Sequence, residues 1–216
     1  MTSPTSQTDQ GNQATQTIDL EALSAEISGC EKCSLATGRT NAVPGSGNPH
    51  AEIVFIGEGP GFNEDKQGLP FVGAAGKFLD ELLASIHLSR NDVYICNVVK
   101  CRPPGNRDPQ SDEIDACTPW LTQQLGLINP RMIVTLGRFS MSRYFPRATI
   151  SRIHGQAQPI DGVLVVPMYH PAAALHQGSL RKTILEDFQK LPALLEQTMA
   201  ETAEPAEPEP EQLQLL

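Results

Sequence analysis

The chain has 216 residues, 39% of them hydrophobic, and a formal net charge of −9. That length suits one domain with a substantial core, and no apolar run reaches the roughly 20 residues of a membrane span. Residues 1–19 are rich in Thr, Gln and Ser and lack the basic and apolar regions of a secretory signal, which predicts a cytoplasmic protein. The acidic charge sits at the ends. Residues 1–29 hold Asp9, Asp19, Glu21 and Glu26 with no base, and residues 193–216 hold six glutamates with no base. Without them, residues 30–192 carry a net +1. The middle of the chain is therefore near neutral, and the overall charge does not exclude an anionic partner.

Residues 1–19 are expected to be disordered, residues 20–195 to fold, and the Glu-Pro-rich segment 196–216 to form an acidic disordered tail, a possible contact for a repair or replication partner. Leu20–Ser28 reads as a short helix. Ala51–Ile56 is an apolar strand running into the turn Gly57-Glu58-Gly59-Pro60-Gly61. Gly73–Ile86 has helical periodicity, with Phe78, Leu79, Leu82, Leu83 and Ile86 on one stripe. Asp92–Val99 reads as a strand, Ser111–Leu125 as a helix and Arg131–Leu136 as a third strand. A short helix after Gly137, a strand at Val163–Pro167 and a closing helix at Leu180–Leu195 complete the order. Alternating strands and helices predict an α/β three-layer sandwich: a central four-stranded parallel sheet flanked by helices. Ligands in such sheets bind beyond the carboxyl ends of the strands. Gly57–Gly61, Asn97–Arg107 and His170 should therefore converge.

Five cysteines are present: Cys30, Cys33, Cys96, Cys101 and Cys117. Disulfides are unexpected in a cytoplasmic protein of this size. Cys30-x2-Cys33 is a local metal-binding pair, whereas Cys101 and Cys117 lack the second C-x-x-C of a zinc ribbon. Composition leaves an iron–sulfur cluster, zinc and unligated thiols all open. Cys96, inside a strand, reads as a small buried apolar residue.

Longer motifs are more specific. Gly57-Glu58-Gly59-Pro60-Gly61-x2-Glu64-Asp65 resembles the first motif of the type-4 uracil-DNA glycosylases. So do Pro70-Phe71-Val72-Gly73, Asn97-Val98-Val99-Lys100-Cys101-Arg102-Pro103-Pro104 and His170-Pro171-Ala172, in the same order. The resemblance covers about Gly29 to Leu191. It implies a structural [4Fe–4S] cluster on Cys30, Cys33, Cys101 and Cys117, and monofunctional excision of uracil from single- or double-stranded DNA by a monomer. Two stretches depart from the pattern: His154 stands where arginine is common, and Ala174–Gly178 replaces a leucine–arginine run.

A glycosylase acts on a nucleotide extruded from the stack. It needs a face for the base, hydrogen bonds to its edge, and stabilisation of the charge that develops as the bond breaks. Phe71 can stack on the base. Asn97 offers the donor and acceptor that match O4 and N3–H of uracil. His170 can donate to O2, and Glu58 can hold the attacking water or face the cationic sugar, in preference to Glu64 or Asp65. Gly57 and Gly59 let the backbone approach closely. Lys100, Arg102, Asn106, Arg107 and Arg152 are candidate contacts to DNA. Two other readings are weaker. The glycine turn could cradle a phosphate, but no full phosphate-binding motif accompanies it. A non-catalytic DNA-binding module would not require Glu58, Asn97 and His170 together.

Overall fold

The computed structural model describes residues 19–203, with side chains through residue 197. The segment expected to be disordered before residue 19 and the acidic stretch after residue 203 lie outside the described residues. Helix α1 covers residues 19–28, and α2 is Leu35–Gly38. Strand β1 (Ser46–Gly47) and β2 (Ile53–Gly57) follow, then α3 (Phe62–Gln67), α4 (Ala74–Ala84) and β3 (Tyr94–Asn97). After a 3-10 turn at Pro104–Asn106 come α5 (Ser111–Ile128), β4 (Met132–Leu136), α6 (Arg138–Ser142) and α7 (Ile150–Ile153). The chain continues with β5 (Gln158–Ile160), β6 (Val163–Met168), α8 (Pro171–His176), α9 (Leu180–Phe188) and α10 (Leu191–Ala203).

The strands form one sheet in the order β1-β3-β2-β4-β6-β5. The inner four, β3-β2-β4-β6, are all parallel. Every residue of β2, β3 and β4 is buried, as expected of strands covered on both faces. Side chains alternate between two cores. Val54, Ile56, Ile133 and Val165 pack against Leu23 and Ile27 of α1 and Leu121 of α5. Ile53, Phe55, Val134 and Val166 face Leu79 and Leu82 of α4 and Phe188 of α9. From β2 the chain pairs with β3 on one side and β4 on the other, with α4 and α5 on opposite faces. That reversal opens a crevice at the carboxyl ends.

The sheet has six strands rather than the expected four, because β1 and β5 add antiparallel edges. Neither carries a strand signal. β1 is two residues long, and β5 contains Pro159 and is mostly exposed, a pattern confined to sheet edges. The single closing helix expected over Leu180–Leu195 is two helices. They break at Gln189–Lys190, where Pro192 has no N–H with which to extend α9. α10 then continues to Ala203, past the boundary expected at 196. Among the described residues no helix is long and apolar enough to cross a membrane.

Glu113 ties the start of α5 to the preceding loop. Its carboxylate accepts from the Gln110 N–H at 2.8 Å, from Ser34 Oγ at 3.0 Å, and from both terminal nitrogens of Arg107 at 2.6 and 2.9 Å. The Arg107 bonds, followed by those of Gln110 and Ser34, hold its pKa at about 2 against an opposing burial effect. A depressed carboxylate contributes stability above its ordinary pKa, and that contribution disappears as pH falls towards the folded value. Glu113→Gln should therefore cost about 2 kcal/mol at neutral pH and much less near pH 2. Denaturant unfolding at both pH values checks this; an equal deficit at both would contradict it.

Candidate active site

A cleft of about 620 Å³ opens at the carboxyl ends of β2, β3 and β6. Glu58, Phe71, Asn97 and His170, far apart in sequence, all line it. β2 delivers Glu58, β3 ends on Asn97, and β6 runs out two residues before His170. Phe71 arrives from the loop before α4.

Asn97 is only 2% exposed yet lines the cleft, and its main-chain carbonyl accepts from Lys100 Nζ at 2.9 Å. Its carboxamide carries both a donor and an acceptor for a molecule in the cleft. Gly57 makes room for it. A Cβ at Gly57 would lie 2.4 Å from Asn97 Oδ1 and 2.7 Å from Phe71 Cζ. Any larger residue would occupy the space these two side chains share.

Phe71 adopts a left-handed backbone, φ 53°, which is costly for an aromatic residue and persists only when its surroundings enforce it. Two side chains do so. Glu64 Oε1 accepts from the N–H groups of Val72 and Gly73, each at 2.9 Å. Arg90 donates to the carbonyls of Pro70 (2.9 Å) and Phe71, while its Nε bonds Asp80 at 2.6 Å. The Phe71 carbonyl also passes over Gly76, where a Cβ would lie 1.7 Å from it. Thus Glu64 shapes the pocket as a loop anchor. Asp65 turns away to bond the N–H of Thr40 at 2.8 Å. Arg90 had no visible role in the sequence, because it lies 19 residues beyond the loop it clamps.

The rings of Phe71 and His170 stack with centroids 5.4 Å apart and planes 23° from parallel. His170 Nδ1 accepts from the Ala172 N–H at 3.1 Å, which places the proton of the neutral ring on Nε2. Burial pushes the His170 pKa down to about 4, although Glu64 works in the opposite direction. The ring is therefore a neutral donor at physiological pH. Glu58 is half-buried. Burial and then nearby Asp108 raise its pKa, while Arg138, which is ion-paired with Asp108, lowers it. A carboxylate of raised basicity thus faces the same space as a neutral imidazole.

The expected DNA contacts divide. Lys100 is 1% exposed and bonds internally, which corrects its reading as a surface phosphate contact. Arg107 lines the cleft but its guanidinium is engaged by Glu113. Arg102 bonds Asn106 Oδ1 at 2.7 Å beside exposed Phe62, at the cleft lip. Arg152 is exposed on α7, outside the cleft lining. Asp108 and His176 line the cleft without having been expected there. His154, one of the departures, bonds buried Asp187 at 2.6 Å and packs on Tyr169.

Cys30, Cys33, Cys101 and Cys117 line one small cavity with Ile27 and Trp120. Among the described residues no group of three or more His, Cys, Asp or Glu is arranged to hold a metal ion. A multi-iron cluster spaces its thiolates more widely than one ion does. Three N–H donors already face the sulfurs: Trp120 Nε1 to Cys30 at 3.2 Å, Arg39 to Cys101 at 3.1 Å, and the Lys100 N–H to Cys117 at 3.3 Å. Such donors suit sulfur that carries negative charge, and the four residues fit a cluster. Cys96 lies in the sheet core, outside this cavity.

The parallel α/β sheet thus carries at its carboxyl edge a cleft lined by an amide, an imidazole and an aromatic ring. Residues 44–191 match the model of the uracil DNA glycosylase superfamily. The chain is 50% identical to a type-4 uracil-DNA glycosylase of Sulfurisphaera tokodaii, over 80% of this chain and 83% of the relative. It is 51% identical to that of Saccharolobus solfataricus (80% and 85% covered) and 49% identical to that of Archaeoglobus fulgidus (80% and 91% covered). The chain belongs to the uracil-DNA glycosylase superfamily, and within it to the type-4 group.

The protonation state of His170 is directly measurable. In a heteronuclear NMR titration its ring should stay neutral, with the proton on Nε2, from pH 8 down to about 5.5. A midpoint at 6 or above would contradict the burial effect.

Proposed function

We propose that this protein excises uracil from DNA in base excision repair, hydrolysing the N-glycosidic bond to release free uracil and leave an abasic site. The observation that carries the reading is the Asn97 carboxamide lining a cleft that also holds Phe71 and His170. An extruded uracil presents an acceptor at O4 and a donor at N3, and one amide can satisfy both. Cytosine inverts that pattern and would leave the buried amide opposed by like groups, a loss of the kind that separates substrates strongly.

The reaction follows from the same groups. As the bond from C1′ to N1 breaks, its electron pair passes to uracil and the sugar becomes cationic. His170 Nε2–H donates to O2 as negative charge builds there, and a neutral donor does so without fully transferring its proton. Glu58, with its raised basicity, orients water towards C1′ and accepts the proton released when the oxygen bonds to carbon. Phe71 stacks on the base, and Gly57 and Gly59 admit it against the backbone. No side-chain nucleophile is needed, which makes the enzyme monofunctional.

Arg102, Asn106 and Arg152 are read as contacts to the DNA backbone; their support is exposure or position at the lip. Cys30, Cys33, Cys101 and Cys117 are read as the ligands of a [4Fe–4S] cluster, which supplies a rigid cross-link between the N-terminal segment, the loop after β3 and α5. The lack of a membrane-crossing helix among the described residues accords with a cytoplasmic enzyme, taken to act as a monomer.

An oligonucleotide carrying one uracil tests this. The protein should convert it, single-stranded or as U:G, to an alkali-labile abasic strand. Asn97→Asp should slow that by roughly 10- to 100-fold through loss of the amide donor. An uncleaved oligonucleotide, or an unimpaired variant, would contradict the reading.

A further inference from the structure

We infer that Lys100 is a positioning residue for uracil recognition: it holds the Asn97 main chain in fixed register with the cysteine site. The inference rests on the reading of Asn97 as the uracil-contacting group.

Lys100 lies among the largest fully buried side chains of the protein. A buried amine is costly unless its hydrogen bonds are met, and an apolar side chain of similar length would fill the same volume without that cost. The bonds it makes supply a reason for it. Nζ donates to the Asn97 carbonyl at 2.9 Å and to Gln124 Oε1 at 2.6 Å. The Lys100 main-chain N–H donates to Cys117 Sγ at 3.3 Å, and its carbonyl accepts from the Val43 N–H at 2.7 Å. One residue therefore touches the main chain of the base-reading amide with its side chain and a cysteine with its backbone.

The network is anchored at its far end. Gln124, fully buried on α5, donates through Nε2 to the Pro44 carbonyl at 2.9 Å and to Tyr94 Oη at 3.3 Å. Its orientation is set by two partners that belong neither to the cleft nor to the cysteine cavity. Pro44, Gln124, Lys100 and Asn97 are joined by consecutive hydrogen bonds, a polar network of the kind that specifies one geometry. The turn after β3 is pinned as well by the N–H groups of Val98 and Val99, bonded to the carbonyls of Gly57 and Glu58. Lys100 adds the bond at Asn97 itself. A displacement of a substrate-orienting group by about 1 Å can cost on the order of 100-fold in rate.

The test uses the full chain purified without oxygen, as wild type, Lys100→Met and Gln124→Met. Iron content, melting temperature, excision kinetics and inhibition by free uracil are measured on each. Both variants are expected to keep wild-type iron and to fold. Each should lose roughly 10- to 100-fold in kcat/KM and bind free uracil at least about 10-fold more weakly. Gln124 contacts neither the cleft nor a cysteine, so a matching defect in Gln124→Met identifies the network as its source. A merely structural role would lower the melting temperature yet leave uracil inhibition unchanged well below it; that result overturns the inference. Failure of both variants to fold would make the network a folding element and overturn it too. A wild type that does not excise uracil would instead remove the functional reading beneath it.

Discussion

The end of β2 carries no side chain, and the cleft is built on that space. The sheet brings the carboxyl ends of β2 and β3 side by side, so Gly57 and Asn97 are register partners. The Asn97 carboxamide and the Phe71 ring both project over the Gly57 backbone. Gly57 lets the amide and the ring pack against the strand end, and the proposed place of a flat pyrimidine is the cleft beside them. Keeping it open requires support further out. Glu64 and Arg90 fix the Phe71 loop in a left-handed turn that its own sequence disfavours. Strain of this kind is common where a group must be presented in one orientation.

The electrostatics of the cleft follow from the same packing. Dense surroundings lower the His170 pKa and raise that of Glu58, so the imidazole is uncharged and the carboxylate is a better base than usual. Two titratable groups pushed in opposite directions suit the proposed division between leaving-group stabilisation and water activation. A protonated His170 would attract a uracil anion more strongly, but keeping it charged in that site would oppose the burial effect. Behind β3 lies the cysteine cavity, separated from the cleft by little more than the turn from Asn97 to Cys101. Lys100 spans that turn from within the core.

Much of this was legible in the residues. The four inner strands declared themselves as short apolar runs ending in Gly, Asn or His-Pro, and their common polarity follows from the helices between them. That Glu58, Asn97 and His170 should meet could be expected from the rule that ligands bind beyond strand ends, Phe71 was added by the family resemblance, and all four line one cleft. What escaped depends on long-range partners. Lys100 read as a surface cation because its neighbours Arg102 and Arg107 are cations; only α5, arriving with Gln124, makes its position interior. Arg90 and Glu113 act on segments distant from their local sequence. The edge strands β1 and β5 are too short or too proline-bearing to show periodicity, and pair only because an open sheet edge is available. The acidic residues near the two ends of the sequence explain how a chain of net −9 can hold a near-neutral middle.

The central claim is that uracil occupies the cleft against Asn97, Phe71 and His170, with Gly57 leaving room for the amide and the ring behind it. Titration of free uracil into the wild type and into Gly57→Ala, followed by NMR at the side chains of Asn97, Phe71 and His170, addresses it most directly. The account predicts localised shifts at all three residues in the wild type. In a folded Gly57→Ala protein, whose added methyl group displaces the Asn97 amide and the Phe71 ring, those shifts should be lost. Equal binding by both proteins, or shifts confined to residues elsewhere, would contradict it.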